Sequence, residues 1–277
     1  MPKETISFKG DKEIWRNFSL EAKRKNIEIW DILKPYIERF SIFDHDKIKM
    51  CMEAAISEYK RSRLIHHIVI AREVNDQQQD FKQMYYRPAI PISYFQKDKD
   101  PIFRAPILPS MGNVVADNEI NYLIQEIFEN KKIKKIDIIQ DKINYQFIIT
   151  QAGSLGHNTS IILPMEVYLH LFNDPLFDKN MRYEFPEKLM NFNIIPFSNE
   201  ILNNKIIFID KSSTIFRYVT TYNPVMGNSE ILHIDIGLIE EDGNTDIYVR
   251  TLGKLEIYNP DTIKVYQIKN SRYKSSK

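Results

Sequence analysis

The first forty residues constrain the fold most, because they read as one short strand followed by two short helices. Along Lys3 to Gly10 apolar and polar residues alternate, and a strand places successive side chains on opposite faces. Lys12 to Lys25 then carries apolar residues at helical spacing, and a second such pattern follows to Phe40. Between them Asn26 predicts a turn, since Asn tolerates the left-handed backbone that ends a helix. A unit this small rarely buries a core alone, so the pattern predicts that two chains pair.

This order of elements resembles the ribbon-helix-helix family of dimeric DNA-binding proteins, over Lys3 to Phe40. A two-stranded ribbon fits the major groove, and the resemblance implies three residues that contact the bases of double-stranded DNA: Thr5, Ser7 and Lys9. It also places the start of the second helix beside a backbone phosphate, with contacts expected from Lys3, Glu28 and Ile29. Six apolar residues form the expected dimer core: Ile6, Phe8, Trp15, Phe18, Leu33 and Ile37.

Two residues depart from the family pattern. Glu28 stands where the family usually has Ser or Thr, and its charge would repel a phosphate. Pro35 lies inside the second helical pattern, where proline removes a hydrogen bond and kinks the axis. The alternative is that this segment is only a dimerisation arm whose polar face is hydrated.

Composition narrows the class of protein. The 277 residues are 43% hydrophobic and 27% charged, as in ordinary globular proteins. The formal net charge is +1, so any affinity for DNA must be local rather than due to a global basic field. The single cysteine, Cys51, excludes a disulfide within the chain. The sequence shows no hydrophobic signal region and no apolar run that could span a bilayer, so we expect a cytoplasmic protein with no membrane partner.

The rest of the chain predicts an α+β protein. A long helix, or two with a break near Ser62, is expected from Asp46 to about Val74, and a helix over Asp117 to Asn130. Five prolines between residues 81 and 116 favour extended chain. Short apolar runs with turn signals then predict mainly antiparallel strands. Two such runs are expected between Ile136 and Thr150, and Asp242-Gly243 between alternating runs predicts a hairpin. The expected divisions are 1–41 (ribbon-helix-helix), 42–80 (helical connector), 81–116 (Pro-rich segment), 117–269 (α+β domain) and 270–277 (flexible tail).

The order of elements after Asp117 resembles shell proteins of the HK97-like tailed-phage capsid fold, which encapsulins share. The resemblance depends on a strand at Thr159 to Leu163 running into a helix after Pro164, a strand at Lys205 to Asp210, and the closing run Gly253 to Ile263. It implies that the Pro-rich stretch holds the extended loop of that fold. The alternative is an α+β domain of another kind that positions or regulates a DNA-binding arm.

No catalytic or metal site is predicted, and no cofactor. Four of the histidines are scattered without metal-ligand spacing: His45, His157, His170 and His233. His157 lies near Ser154 and Ser160, but no Gly-x-Ser-x-Gly elbow accompanies it. We therefore expect no enzyme. The leading hypothesis is a dimeric, sequence-selective DNA-binding transcription regulator, and the alternative is a self-assembling shell protein whose N-terminal arm dimerises or recruits nucleic acid.

Overall fold

The chain folds into two sheets and a set of helices, and a computed structural model describes residues 12–34, 44–74, 80–91, 107–184, 186–223, 227–237 and 244–269. Over these residues the fold is mixed α+β, which confirms the predicted class. The helices are α1 (Lys12–Arg24), α2 (His45–Ser62), α3 (Ile65–Ile68), α4 (Ile107–Glu129), α5 (Tyr145–Gly153), α6 (Met165–Leu171) and α7 (Pro175–Asn180), with further helical backbone at 29–34. Short 3-10 turns lie at Gln140–Lys142, Lys211–Ser213 and Pro260–Thr262.

The strands lie in two parts of the chain, before and after α4. Before it lie β1 (Ile70–Val74), β2 (Lys82–Tyr86) and β3 (Ala89–Pro91). After it lie β4 (Lys135–Ile139), β5 (Thr159–Pro164), β6 (Met181–Arg182), β7 (Lys188–Leu189), β8 (Phe192–Phe197), β9 (Lys205–Asp210), β10 (Thr214–Val219), β11 (Thr221–Asn223), β12 (Asn228–Glu230), β13 (His233–Gly237), β14 (Asn244–Ile257) and β15 (Ile263–Lys269).

The N-terminal unit, residues 12–34, is a helix, a turn and the start of a second helix. Asn26 has φ 53°, which confirms the predicted left-handed turn. Glu13 in the first turn of α1 and Lys23 and Arg24 in its last turn each complement the helix dipole. The predicted strand before α1 lies outside the described residues.

Two predicted helix boundaries were wrong. α4 begins at Ile107 rather than at Asp117, because Pro109 falls in the first turn, where proline removes no intrahelical hydrogen bond. The helix predicted to reach Val74 does break at Ser62, as expected, but residues 70–74 form β1, which pairs in parallel with β10. Pairing with a distant strand overrides the local helical spacing there.

The run predicted as two strands between Ile136 and Thr150 is one strand and one helix, β4 and α5. Asn144 begins the helix, because its side chain accepts a hydrogen bond from the Phe147 amide. The capping residue therefore decides the structure of an apolar run whose spacing is ambiguous.

The six-stranded sheet is organised around the 14-residue strand β14. Gly253 is paired with both Tyr218 of β10 and Lys82 of β2, so these strands lie on opposite sides of β14. β13 and β3 extend the two sides. The antiparallel pairing of β13 with β14 confirms the predicted hairpin, whose turn lies outside the described residues.

The seven-stranded sheet has the order β4-β15-β9-β5-β8-β7-β6 and is buried on both faces. Alternate residues of each strand enter different cores: Ile207 packs with α2, α4 and the six-stranded sheet, whereas Ile206 and Phe208 pack with α5, α6 and α7. This alternation is the two-residue period of a strand. The sheet is therefore the shared wall between two hydrophobic cores.

α2 and α4 approach each other closely at Gly112. A Cβ atom there would lie 2.4 Å from the Ala55 carbonyl oxygen and 2.5 Å from the Tyr59 nitrogen, both backbone atoms of α2. A glycine is required at this position because only the absence of a side chain permits this backbone separation.

We expect Gly112→Ala to lower the free energy of unfolding by about 1–3 kcal/mol, because the helices must move apart. Gly153→Ala is the matched control, since Gly153 is also helical and a Cβ atom added there would have nothing within 4 Å. Denaturant unfolding followed by circular dichroism checks both. Equal stability of the two variants would show that the helices are not held at this distance.

Candidate functional site

The most completely built polar site in the described residues is centred on Glu119 of α4, whose side chain is 0% exposed. The Tyr59 hydroxyl of α2 donates to Glu119 Oε1 at 2.5 Å, and the Tyr218 hydroxyl of β10 donates to Oε2 at 2.8 Å. Arg63 Nε, just after α2, lies 3.8 Å from the same Oε2. We call Tyr59, Arg63, Glu119 and Tyr218 the Glu119 cluster.

The guanidinium of Arg63 is also held against the two aromatic rings. Its carbon Cζ lies 4.0 Å from the Tyr218 ring centroid and 5.6 Å from that of Tyr59. A guanidinium over an aromatic face is stabilised by the ring quadrupole, most strongly where water is excluded. The rings therefore bind the cation while their hydroxyls bind its counter-charge.

Burial controls the ionisation of the Glu119 cluster. It raises the pKa of Glu119, although Arg63 and the hydroxyl donors oppose that shift. Burial, together with the charge of Glu119, raises the pKa of Tyr59 and Tyr218 well above their ordinary value. Both phenols therefore keep their protons and act as donors to the carboxylate.

This geometry suits a structural junction rather than a reaction centre. No solvent reaches the Glu119 carboxylate, so no substrate reaches it either. In the described ranges no group of three His, Cys, Asp or Glu side chains could hold a metal ion. The cluster instead holds α2, α4 and β10 together in the core that α2, α4 and the six-stranded sheet form on one face of the seven-stranded sheet.

The predicted helix over Asp117 to Asn130 would begin at Asp117 and put Glu119 in its first turn, and this boundary is wrong. Because α4 begins at Ile107, Glu119 lies in the middle of the helix. A usable signal was present: Gly112, Ala116 and Leu123 share its helical face at i−7, i−3 and i+4. A carboxylate on such an apolar face predicts a buried, paired group.

A second polar contact joins α3 to the seven-stranded sheet. The His67 carbonyl oxygen accepts hydrogen bonds from Ser160 Oγ at 2.8 Å and Asn193 Nδ2 at 3.0 Å. Burial lowers the pKa of the adjacent His66 to about 4 and also lowers the pKa of His67. Both rings are therefore neutral at neutral pH, and their centroids lie 3.8 Å apart.

Most of the predicted DNA and dimer contacts lie outside the described residues: Lys3, Thr5, Ile6, Ser7, Phe8, Lys9 and Ile37. Glu28 is exposed and Ile29 half-buried at the start of the helical backbone at 29–34. Of the predicted dimer core, Trp15 is exposed, and Phe18 and Leu33 are half-buried. The positions of these residues do not test whether they contact a second chain or DNA.

The N-terminal unit exposes more apolar surface than the sequence pattern suggested. Large apolar side chains at least 43% exposed occur on both of its helical stretches and at the turn: Ile14, Trp15, Leu20, Ile27 and Trp30. No described residue of the unit belongs to either hydrophobic core.

Comparison with known proteins places the fold. No protein-family model matches the sequence, and a search of curated proteins finds no significant match. Among solved structures, the virus-like particle from Pyrococcus furiosus matches at 14% identity, over 78% of this chain and 96% of that chain, with a TM-score of 0.55. The two chains share a fold.

Two further solved structures match with lower TM-scores. An encapsulin from Synechococcus elongatus matches at 10% identity over 78% of this chain and 90% of that chain, with a TM-score of 0.47. The capsid of an empty GTA particle matches at 10% identity over 75% and 89%, with a TM-score of 0.49.

These findings separate the two predicted resemblances. The resemblance of the C-terminal part to capsid and encapsulin shells is confirmed at the level of fold. The ribbon-helix-helix resemblance has no support, and the prediction of a DNA-binding transcription regulator is wrong, because the matching proteins are shell proteins. Nothing found supports double-stranded DNA as a partner.

The fold neighbours are structural proteins rather than enzymes. Within the described ranges no helix has the length and hydrophobicity to cross a bilayer.

We expect Glu119→Gln to lower the free energy of unfolding by about 3 kcal/mol, because Arg63 then lies in the core without a counter-charge. The double change Arg63→Met with Glu119→Gln removes that uncompensated charge and recovers most of the loss. Chemical denaturation of the single and double variants measures this coupling.

The control for this pair is Glu256→Gln. Glu256 lies 3.0 Å from Arg217, and both side chains are partly exposed, so we expect a loss of less than about 1 kcal/mol. If Glu119→Gln costs no more than Glu256→Gln, the Glu119 cluster does not stabilise the junction.

Proposed function

We propose that this chain is the subunit of a protein shell that assembles from many copies of itself. The observation that carries the proposal is the fold shared with the Pyrococcus furiosus virus-like particle, which extends over 96% of that chain. The match also covers 78% of this chain, which is far more than one motif. The proposed role is structural and requires no catalytic site.

The internal construction suits such a role. A shell subunit must keep its shape when it is in contact with its neighbours. Here the seven-stranded sheet has a packed hydrophobic core on each face. Packed interiors have low compressibility and transmit strain. The Glu119 cluster adds directional contacts that fix the relative positions of α2, α4 and β10.

The helices α6 and α7 carry exposed apolar residues that contacts with neighbouring subunits would cover. Four side chains on α6, on α7 and beyond α7 are at least 37% exposed: Met165, Leu169, Leu176 and Tyr183. Met165 and Leu169 share one face of α6 at i, i+4 spacing, and exposed apolar faces are typical of protein contacts. We propose that this face of α6 lies against a neighbouring subunit.

The division of the chain follows the same proposal. We propose that residues 1–41 are an N-terminal arm and that 117–269 form most of the body, together with 42–80, since α2 packs in the same core as α4 and β1 pairs with β10. The described residues of the Pro-rich segment 81–116 include β2, β3 and the first turns of α4.

The full chain, purified at neutral pH, is expected to elute in size-exclusion chromatography with light scattering as a megadalton particle, and negative-stain electron microscopy should show closed shells. The physical reason is that one subunit with several self-complementary surfaces closes into a symmetric assembly. Nuclease treatment is the control, because a particle held by protein contacts keeps its mass after nucleic acid is digested. A stable dimer or tetramer across the accessible concentration range would contradict the proposal.

A further inference from the structure

The short helix α3 lies over the end of the seven-stranded sheet at which β5 and β8 begin. Its His67 carbonyl oxygen accepts hydrogen bonds from Ser160 of β5 and Asn193 of β8. Asn193 is in turn paired with Lys188 of β7, and residues directly opposite each other in a sheet project from the same face. Lys188 therefore projects from the face that α3 covers.

A second lysine is brought to the same end of the sheet by β9. Ile209 of β9 is paired with Ser160. Two residues later, the backbone amide of Lys211 donates to the Asn158 carbonyl oxygen, just before β5, at 3.1 Å. The Lys211 side chain is half-buried, and burial lowers its pKa. It therefore adds a partly desolvated cation beside α3.

The rings of His66 and His67, which we call the His66–His67 pair, lie among these cations. Their centroids are 3.8 Å apart. Burial lowers the pKa of His66 to about 4, and the charges of His67, Arg63 and Lys211 add to that effect. Burial also lowers the pKa of His67, with Lys211 and Lys188 acting in the same direction. The charged groups that shift these two pKa values are thus all cations.

The other charges on the elements around α3 are exposed, half-buried or paired. β5 contains no charged residue. Glu119 is bound within its own cluster, and Glu184 lies 3.2 Å from Lys188, both of them partly exposed. On β1 and α4 the remaining charged residues are exposed or half-buried: Arg72, Glu73, Asp117, Glu126 and Glu129. A proton gained by either histidine ring therefore adds charge to a group that is already positive.

We propose that the His66–His67 pair is an acid-sensitive switch, and that its protonation releases α3 from the seven-stranded sheet. At neutral pH both rings are neutral and the two hydrogen bonds to the His67 carbonyl oxygen are kept. At acidic pH each added proton creates a cation close to the other ring and to the three neighbouring cations, and like charges at such separations repel. Because α3 connects α2 to β1, its release loosens the core on that face of the sheet. This switch acts within one subunit and does not rest on the proposed function.

The pH dependence of unfolding in His66→Gln tests the switch. A histidine whose pKa is lowered on folding contributes stability above its unfolded pKa of about 6.5. That stability is lost as the pH falls toward about 4, because the unfolded chain binds the proton first. Between about pH 7.5 and about pH 5 we expect the folding equilibrium constant to fall about tenfold more in the wild-type chain than in His66→Gln. Urea denaturation at constant ionic strength, followed by circular dichroism, measures both, and light scattering checks that the assembly state is the same in all samples.

His157→Gln is the matched control, because His157 is exposed in the turn between α5 and β5. It should lose as much stability on acidification as the wild-type chain. Lys211→Met is a second test, since it removes one repelling charge but keeps both rings and the backbone hydrogen bond to Asn158. We expect it to reduce the acid-dependent loss, and it remains informative if His66→Gln does not fold.

Hydrogen exchange followed by mass spectrometry, corrected for intrinsic rates, locates the effect. On acidification, protection is expected to fall at residues 64–69 before it falls at residues 116–123 around Glu119. An acid-dependent loss that is equal in the wild-type chain, His66→Gln and Lys211→Met would overturn the switch, as would protection at 64–69 that falls only together with the rest of the core. Shells that assemble and keep α3 protected at about pH 5 would overturn the switch and leave the proposed function standing. A chain that forms no shell but loses protection first at α3 would support the switch and overturn the proposed function.

Discussion

One buried carboxylate holds together segments that are far apart in the sequence. Glu119 accepts hydrogen bonds from hydroxyls 60 residues before it and 99 residues after it, on α2 and β10. An ionised group in a core is stabilised only when its partners are fixed around it. The position of α4 relative to α2 and the six-stranded sheet is therefore specified by a small number of directional contacts, in addition to apolar packing.

The two-sided seven-stranded sheet extends that arrangement to the rest of the molecule. Its central strands are apolar at almost every position, as at β9, because both faces are covered. The same strand places Ile207 in one core and Phe208 in the other. A shift of one residue in register would exchange the two sets of side chains, so the register of this sheet is strongly determined.

The N-terminal unit differs from that body in its energetics. It has its own short-range order, with a left-handed turn at Asn26 and ion pairs from Glu21 to Arg24 and Lys25. Exposed i,i+3 and i,i+4 pairs stabilise a helix by only a few tenths of a kcal/mol. These pairs therefore add little to the stability of the unit, and the pairing of two chains through it stays a prediction.

Local features were determined by the sequence alone: the turn at Asn26, the break after Ser62, the strand at Lys205–Asp210, the hairpin of β13 and β14, and the α+β class. Each of these depends on side-chain period, a capping residue or turn chemistry within a few positions. Only the tertiary structure decided that residues 70–74 form a strand, that α4 begins at Ile107, and that the partners of Glu119 are Tyr59, Arg63 and Tyr218. The physical reason is that these outcomes depend on hydrogen bonds and desolvation between residues distant in sequence, which no local pattern contains.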